Sequence, residues 1–282
     1  MLVRDSFAKI NLYLEIVGKD KRNYHLLDSL MALIDIKDQI TIEESSDLSL
    51  EIKGSDTEHL QEKWQENIII RTVELLVQNH NFNPKIKITL EKNIPMSAGL
   101  GGGSSNAATV LLMLNEFYNL NLSKEKLLDY GLKLGADVPF FINGKMAIAS
   151  GIGEILQPIN FDTKNLFFII VNPKKHLLTA DVFSKFPGEF SDNNKHAEHT
   201  ADLISFIKNR HNDLQYTAMK LMPEIFEIIE EIKHQENCLI SRMSGSGASC
   251  FGIFKSDKDQ ELAYQNLLKA LPGFYIQKAK IL

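Results

Sequence analysis

Cysteine is nearly absent: Cys238 and Cys250 are the only two in 282 residues, and neither has the paired spacing of a thiolate metal site. That scarcity excludes a disulfide-built scaffold and points to a reducing compartment, the cytoplasm. Long apolar runs are missing too. The longest, LFFIIV at 166–171, is strand-sized and far short of the roughly 20 residues that cross a bilayer. The opening MLVRDSFAKI carries no apolar stretch of the signal-peptide kind, so a soluble cytoplasmic protein is expected, with no membrane partner. Nor is there an excess of positive charge. The 31 Lys and Arg are spread among 36 Asp and Glu for a net charge of -5, which is not the footprint of a nucleic-acid-binding surface. His196 and His199 lie three apart, but no Cys or further His stands at ligand spacing, so no protein-built metal site is expected.

What is present is enough apolar residue, 44%, for about two packed cores, and one unusual run of glycine. Residues 95–108 read PMSAGLGGGSSNAA. Upstream, Ile86, Ile88 and Leu90 alternate with Lys87, Thr89 and Glu91, the period of a half-buried strand. Downstream, Ala107, Val110, Leu111, Leu114, Phe117 and Tyr118 recur at helical spacing, with Ser104 and Ser105 available as N-caps. The unit is strand, glycine loop, helix. A helix N-terminus offers unpaired N–H groups and partial positive charge, and Gly99, Gly101, Gly102 and Gly103 let phosphate oxygens reach the backbone. It is neither a Walker A loop, since Gly103 is followed by Ser104 and Ser105 rather than Lys, nor a GxGxxG dinucleotide fingerprint.

Elsewhere, Phe7 to Val17 alternates: Ile10, Leu12, Leu14 and Ile16 face one way, Lys9, Asn11, Tyr13 and Glu15 the other. Residues 19–25 read as a polar turn, 29–36 and 38–42 as strands, and 67–79 as a helix. Ser123 caps a helix over 124–134 closed by Gly135. In GADVPFF, Pro139 pushes Val138 into extended backbone, which puts Asp137 at a helix-to-strand corner. Residues 145–149 and 166–171 read as strands, and 188–202 as the least ordered stretch. Pro223 opens a helix with Ile225, Ile228, Ile229 and Ile232 inward, the turn at 243–251 runs into a strand, and Leu262, Leu267, Leu268 and Leu271 mark a last helix before a strand near 274–276. Such alternation makes an α/β or α+β protein.

Five stretches, SFAKINLYL, RNYHLL, PMSAGLGGGSSNAA, LGADVPFF and MSGSGASCF, together resemble the GHMP family of small-molecule kinases over nearly the whole chain. The resemblance implies a two-domain α+β protein. A nucleotide-binding domain of ribosomal S5-like fold would occupy 1–155 and a ferredoxin-like substrate domain 156–282, with the active site in the cleft between them. It implies ATP with Mg2+ and, in the branch these motifs match, a CDP-linked methylerythritol phosphorylated on its 2-hydroxyl on the way to isoprenoid precursors. A kinase for a smaller alcohol, such as homoserine or mevalonate, or a sensor that keeps the fold without turnover, are the alternatives. Tyr24, His25 and the AGLGGGSS form of the loop speak against the first, and the presence of both Lys9 and Asp137 against the second.

By the same resemblance Asp137 is the base that takes the hydroxyl proton, and Lys9 the cation that keeps it ionised and steadies the acceptor oxygen. Pro95, Met96, Ser97, Ala98, Gly99, Leu100, Gly101, Gly102, Gly103, Ser104 and Ser105 form the phosphate loop, while Asn67 and Lys92 fall near the adenine. Tyr24 and His25 hold the cytidine, Asn11 shares the face of Lys9, and Thr179 and Phe183 line the same pocket. One departure stands out: the family reads Asp-Gly before Tyr-His, and this chain has Arg22 and Asn23, of which Asn tolerates the left-handed backbone a glycine supplies.

Overall fold

The structure, a computed structural model, describes residues 1–54, 61–96, 98–192 and 202–282. Most of the stretch read as least ordered, with His196, His199 and the loop residue Ser97, lies outside them.

Two long strands open the chain, β1 (Leu2–Lys19) and β2 (His25–Glu44). The sequence divides β2 at Lys37, but Ile34, Ile36, Asp38, Ile40 and Ile42 are all buried on one alternating phase, so Lys37 is the exposed phase of an unbroken strand. Then come β3 (Ser49–Lys53), α1 (Ile68–His80), β4 (Ile86–Glu91), α2 (Gly102–Phe117) and α3 (Lys124–Leu134). Asn67 caps α1 by accepting from the Ile69 N–H at 3.0 Å, and Ser123 caps α3 by accepting from that of Lys126 at 3.3 Å. The next element, α4 (Val138–Asn143), corrects the extended reading: Val138 and Pro139 open a helix, where a proline's missing N–H costs nothing. Asp137 therefore sits at a helix-to-helix corner.

There follow β5 (Ala147–Gly151), β6 (Ile155–Pro158), β7 (Phe167–Asn172), α5 (Thr179–Ser184), α6 (Leu203–Lys208), α7 (Gln215–Leu221), α8 (Glu224–Lys233), β8 (Cys238–Met243), β9 (Cys250–Phe254), α9 (Asp257–Ala270) and β10 (Tyr275–Ala279). The four isoleucines expected to face inward on α8 are buried. On α9 the inward face is Gln260, Ala263 and Leu267, while Leu262 and Leu268 are exposed. Gln260 is buried because its amide donates to Phe168 O at 2.6 Å, which turns the helix away from an all-leucine stripe.

The chain forms two compact units, neither of them one continuous segment: Met1–Ala8, Ile36–Ile94 and Gly101–Lys145 in the first, Lys9–Asp35, Pro95–Leu100 and Met146–Leu282 in the second. In the first, β4 pairs parallel to β3 and antiparallel to the C-terminal half of β2, so that Ile88 stands beside Leu50 and Ile42. Ile69, Val73 and Leu76 of α1 and Val110, Leu111 and Leu114 of α2 cover that sheet. Each such side chain contributes about 1.5–3 kcal/mol. Ala107 and Ala108 pack α2 against Leu134 and Val138, fixing α2 beside the corner that carries Asp137.

In the second unit four antiparallel strands run in the order β10-β7-β9-β8. With α8 before β8 and α9 before β10, this is the split βαβ order of a ferredoxin-like fold. The helix α8 lies so close to β9 that a Cβ on Gly252 would come within 2.4 Å of Ile232. The N-terminal half of β2 pairs with β5, and β5 with β6, in the same unit. Strand β1 is buried on both phases, with Ile10, Leu12, Leu14 and Ile16 on one and Lys9, Asn11, Tyr13 and Glu15 on the other.

Candidate active site

The first unit holds the helical end of the glycine loop. Gly101, at φ 68° and ψ 18°, is the N-cap of α2, in a left-handed conformation that glycine adopts without strain. The serines are not caps, contrary to the sequence expectation. Ser105 is buried, donating its hydroxyl to Phe7 O at 2.6 Å and lying 2.8 Å from Ser6 Oγ, while its N–H already bonds Gly101 O at 2.9 Å. That anchors α2 to the start of β1. Ser104 is half-buried and Gly103 exposed, and a Cβ built on Gly103 would meet nothing within 4 Å. The outward face of the first turn is thus Gly101, Gly103 and Ser104. Its backbone N–H groups precede the first intrahelical acceptors, beside the positive end of a 16-residue helix.

Below that turn lies Lys92. Its ammonium donates to Asp38 Oδ2 at 2.7 Å and to Ile94 O at 2.6 Å, and a Cβ on Gly102 would stand 3.2 Å from it. The other oxygen of Asp38 accepts from Asn93 N and Ile94 N at 2.7 and 2.8 Å. Burial pulls the Lys92 ammonium below its ordinary range, against the opposing pull of Asp38. Through these bonds Lys92 braces the entry to the loop. Its partner Asp38 was missed, though a carboxylate on the buried phase of β2 was the signal. Asn67 caps α1, as above. Asp137 is half-buried at φ −80°, ψ −17°, and its carbonyl accepts from Phe140 N at 3.2 Å. It lies two residues past Gly135, where a Cβ would approach Ser104 Oγ at 3.9 Å, so α2's first turn and the Asp137 corner adjoin.

The second unit holds Lys9, buried to 4% exposure, with its ammonium donating to Asn11 Oδ1. The amide of Asn11 donates to Ser29 Oγ at 2.8 Å. The first half of the glycine loop is tied to the same strand: Lys9 N donates to Leu100 O at 2.9 Å, and Asn11 N to Ser244 Oγ at 3.1 Å, whose hydroxyl in turn donates to Gly99 O at 3.1 Å. Gly99 has φ 71°, and a Cβ there would be 2.2 Å from Ser244 O. Ala98 is buried and accepts from Ser249 N at 3.1 Å, while Pro95 and Met96 are half-buried. The turn at 244–249 is therefore a brace for the loop, a role the sequence did not assign.

His25 stands against two rings, Phe183 at 5.3 Å and Phe186 edge-on at 5.6 Å. Burial, and then the charge of Lys19, hold its imidazole below the ordinary 6.5. Tyr24 is 57% exposed, a bare platform, with the Arg22 guanidinium 5.2 Å from its ring centre. Asp20 holds this turn by accepting from Arg22 N at 2.8 Å and Tyr24 N at 2.9 Å, and Asn23 takes φ 69°. Thr179 opens α5 with its hydroxyl 2.8 Å from Ser246 Oγ. Phe186 is a further ring the sequence did not single out. Burial pushes the Cys238 thiol up to about 11 and that of Cys250 higher still, which leaves neither a thiolate nucleophile. Among the described residues no three His, Cys, Asp or Glu come together as a metal site.

A helix-opening glycine loop without Walker lysine, on an α+β unit followed by a ferredoxin-like unit, defines a class of small-molecule kinase. Two family models match: the GHMP kinases N-terminal domain over residues 67–145 and the GHMP kinases C-terminal domain over 198–273. The chain belongs to the GHMP kinase family, and ATP is its phosphoryl donor. More narrowly, it is 40% identical over 95% of its length to the 4-diphosphocytidyl-2-C-methyl-D-erythritol kinase of Polynucleobacter necessarius, covering 88% of that protein. It is 35% identical over 98% of its length to the enzyme of the same name from Wolbachia pipientis, covering 96% of it. A crystal structure of 4-(cytidine 5'-diphospho)-2C-methyl-D-erythritol kinase superposes with a TM-score of 0.79 at 28% identity, over 99% of each chain. The homoserine kinase of Cytophaga hutchinsonii, at TM-score 0.75 and 16% identity over 99% of this chain and 95% of that one, shares the fold.

Proposed function

We propose that the chain transfers the γ-phosphoryl group of ATP to the 2-hydroxyl of 4-diphosphocytidyl-2-C-methyl-D-erythritol, in the non-mevalonate route to isoprenoid precursors and in the cytoplasm. The observation that carries the substrate choice is the half-buried His25 packed by Phe183 and Phe186 beside the exposed ring of Tyr24. A flat, hydrogen-bonding base fits that setting, and a small aliphatic alcohol has no use for it.

The backbone N–H groups of the outward face, Gly101, Gly103 and Ser104, bind the phosphates, and no side chain blocks the approach at Gly103. Asp137 takes the proton of the 2-hydroxyl as that oxygen attacks the γ-phosphorus and the bond to the bridging oxygen of ADP breaks. Lys9, its ammonium oriented by Asn11, stabilises the charge on the acceptor oxygen. Tyr24 stacks on the cytosine and His25 hydrogen-bonds its edge, with Thr179 and Phe183 closing the pocket. Mg2+ would be held chiefly by the phosphates themselves and would supply neutralisation of their charge.

The test is ADP release over a panel of alcohols, run on the parent, Asp137→Asn and Lys9→Ala. The parent is expected to prefer the cytidine substrate over homoserine and mevalonate. Asp137→Asn keeps the side-chain shape but removes the base, and should lose about a hundredfold to ten-thousandfold in kcat with ATP affinity unchanged. Near-parental turnover by Asp137→Asn refutes the catalytic assignment, and a parent that turns over no alcohol while still binding ATP makes the protein a sensor.

A further inference from the structure

We propose that Ser29 is a positioning residue for phosphoryl transfer, acting by fixing which way round the Asn11 amide stands beside Lys9. The inference rests on the reading of Lys9 given above. Ser29 is buried on β2, opposite Ala149 of β5, and touches no part of the glycine loop in its hydrogen bonding. Its single O–H proton goes to Tyr13 O at 2.6 Å. Toward Asn11 the same oxygen therefore only accepts, and it meets the amide nitrogen at 2.8 Å. The amide carbonyl is left facing the Lys9 ammonium, which has only protons to give.

Shape cannot make this choice. An amide and its flipped form occupy the same volume, so packing around Asn11 is indifferent between them. The Asn11 backbone is held separately, by the Ser244 hydroxyl. What the backbone leaves open is the amide's own rotation, and the Lys9 ammonium at its oxygen and the Ser29 hydroxyl at its nitrogen close it together, so that losing Ser29 leaves the amide held at one end only. Reversed, the amide would set N–H groups against the ammonium, donor against donor, and Lys9 would leave the direction in which it steadies the acceptor oxygen. Displacements of about 1 Å in reacting groups cost up to about a hundredfold in rate.

Steady-state kinetics on five variants tests the proposal. Ser29→Ala is expected to lower kcat by tens of fold, up to about a hundredfold, with the KM for ATP unmoved, and Ser29→Thr, which keeps the hydroxyl, to restore it. Asn11→Asp replaces the amide by two like oxygens, so there is no orientation left to fix. Adding Ser29→Ala to Asn11→Asp should therefore leave kcat where Asn11→Asp alone put it. This double variant has no orphaned amide N–H, so it decides the question even if Ser29→Ala alone fails to fold. A further fall in kcat on adding Ser29→Ala to Asn11→Asp overturns the proposal, as does a folded Ser29→Ala protein at the parental kcat. If Lys9→Ala itself turns over normally, the reading of Lys9 falls. If Lys9→Ala is dead and Ser29→Ala is not, only the role of Ser29 falls.

Discussion

Gly103 gives the cleanest test of where the triphosphate binds, because the protein itself has no need of a glycine there. A Cβ at this position meets nothing within 4 Å, and the residue lies in the first turn of α2. Gly103→Ala should accordingly stabilise the fold by about 0.5–1 kcal/mol, since alanine loses less backbone entropy in a helix. That is a rise of about 1–4 °C in melting temperature. In the proposed binding mode the added methyl stands where a phosphate oxygen approaches the first-turn N–H groups. Losing one hydrogen bond to a charged group costs about 1.5–3 kcal/mol, which is a rise of about tenfold to a hundredfold in the KM for ATP. Stability and nucleotide affinity are thus expected to move in opposite directions, a signature that general damage cannot give. Gly99→Ala is the contrast: with φ 71° and a Cβ 2.2 Å from Ser244 O, it damages the fold itself. Gly101, at φ 68°, shares that drawback as a probe. Differential scanning calorimetry with initial rates at varied ATP checks both readouts. A more stable Gly103→Ala protein whose KM for ATP stays within twofold of the parent refutes phosphate binding at this turn.

Two further outcomes follow from the geometry. Burial and Lys19 keep His25 neutral at pH 7, with one donor and one acceptor for a base edge. Its folded pKa lies below 6.5, so cytidine affinity should be flat from pH 8 to about 6.5 and fall as the ring gains a proton below that; the same acid fall in His25→Gln would show that another group is responsible. Asp38→Ala strips the buried Lys92 of its counter-charge and orphans the N–H groups of Asn93 and Ile94, which should cost about 3–5 kcal/mol in urea unfolding; a loss under about 1 kcal/mol would mean that the strut is not needed.

The elements with a strong period or a clear cap were legible in the sequence: α1 behind Asn67, α3 between Ser123 and Gly135, and the isoleucine face of α8. Where the reading failed, a tertiary partner had overridden a local rule. Val138 is helical despite preceding Pro139, since α4 packs it on Ala107 and Ala108 and proline suits a first turn. The short β6 has no period of its own and exists through its ladder to β5. Ser104 and Ser105 match the composition of an N-cap, yet glycine takes the cap because the chain enters α2 left-handed. In the candidate site, the glycine run was legible from the residues themselves and the family resemblance pointed to Lys9 and Asp137, but neither singled out Asp38, Ser29, Ser244 or Phe186. Those four act only through partners distant in sequence, as the separation of Asn11 and Ser244 illustrates.

The departure at Arg22 and Asn23 can be weighed in the same terms. A glycine before Tyr24 would serve one purpose, a positive φ, and Asn23 supplies φ 69°. The turn does not depend on that residue alone. Asp20 accepts from the N–H groups of Arg22 and Tyr24 through one carboxylate oxygen and from the Arg22 side chain through the other, and Asn23 N donates to Asp20 O at 3.0 Å. With the carboxylate two residues before Arg22, the guanidinium is held at the ring of Tyr24 instead of swinging free. Asn23 therefore leaves the Tyr24 platform in place, with the Arg22–Asp20 ion pair at its rim. A CDP-linked substrate brings a flat base to stack, and the exposed ring of Tyr24, held by this turn, is a surface of the kind such a base needs.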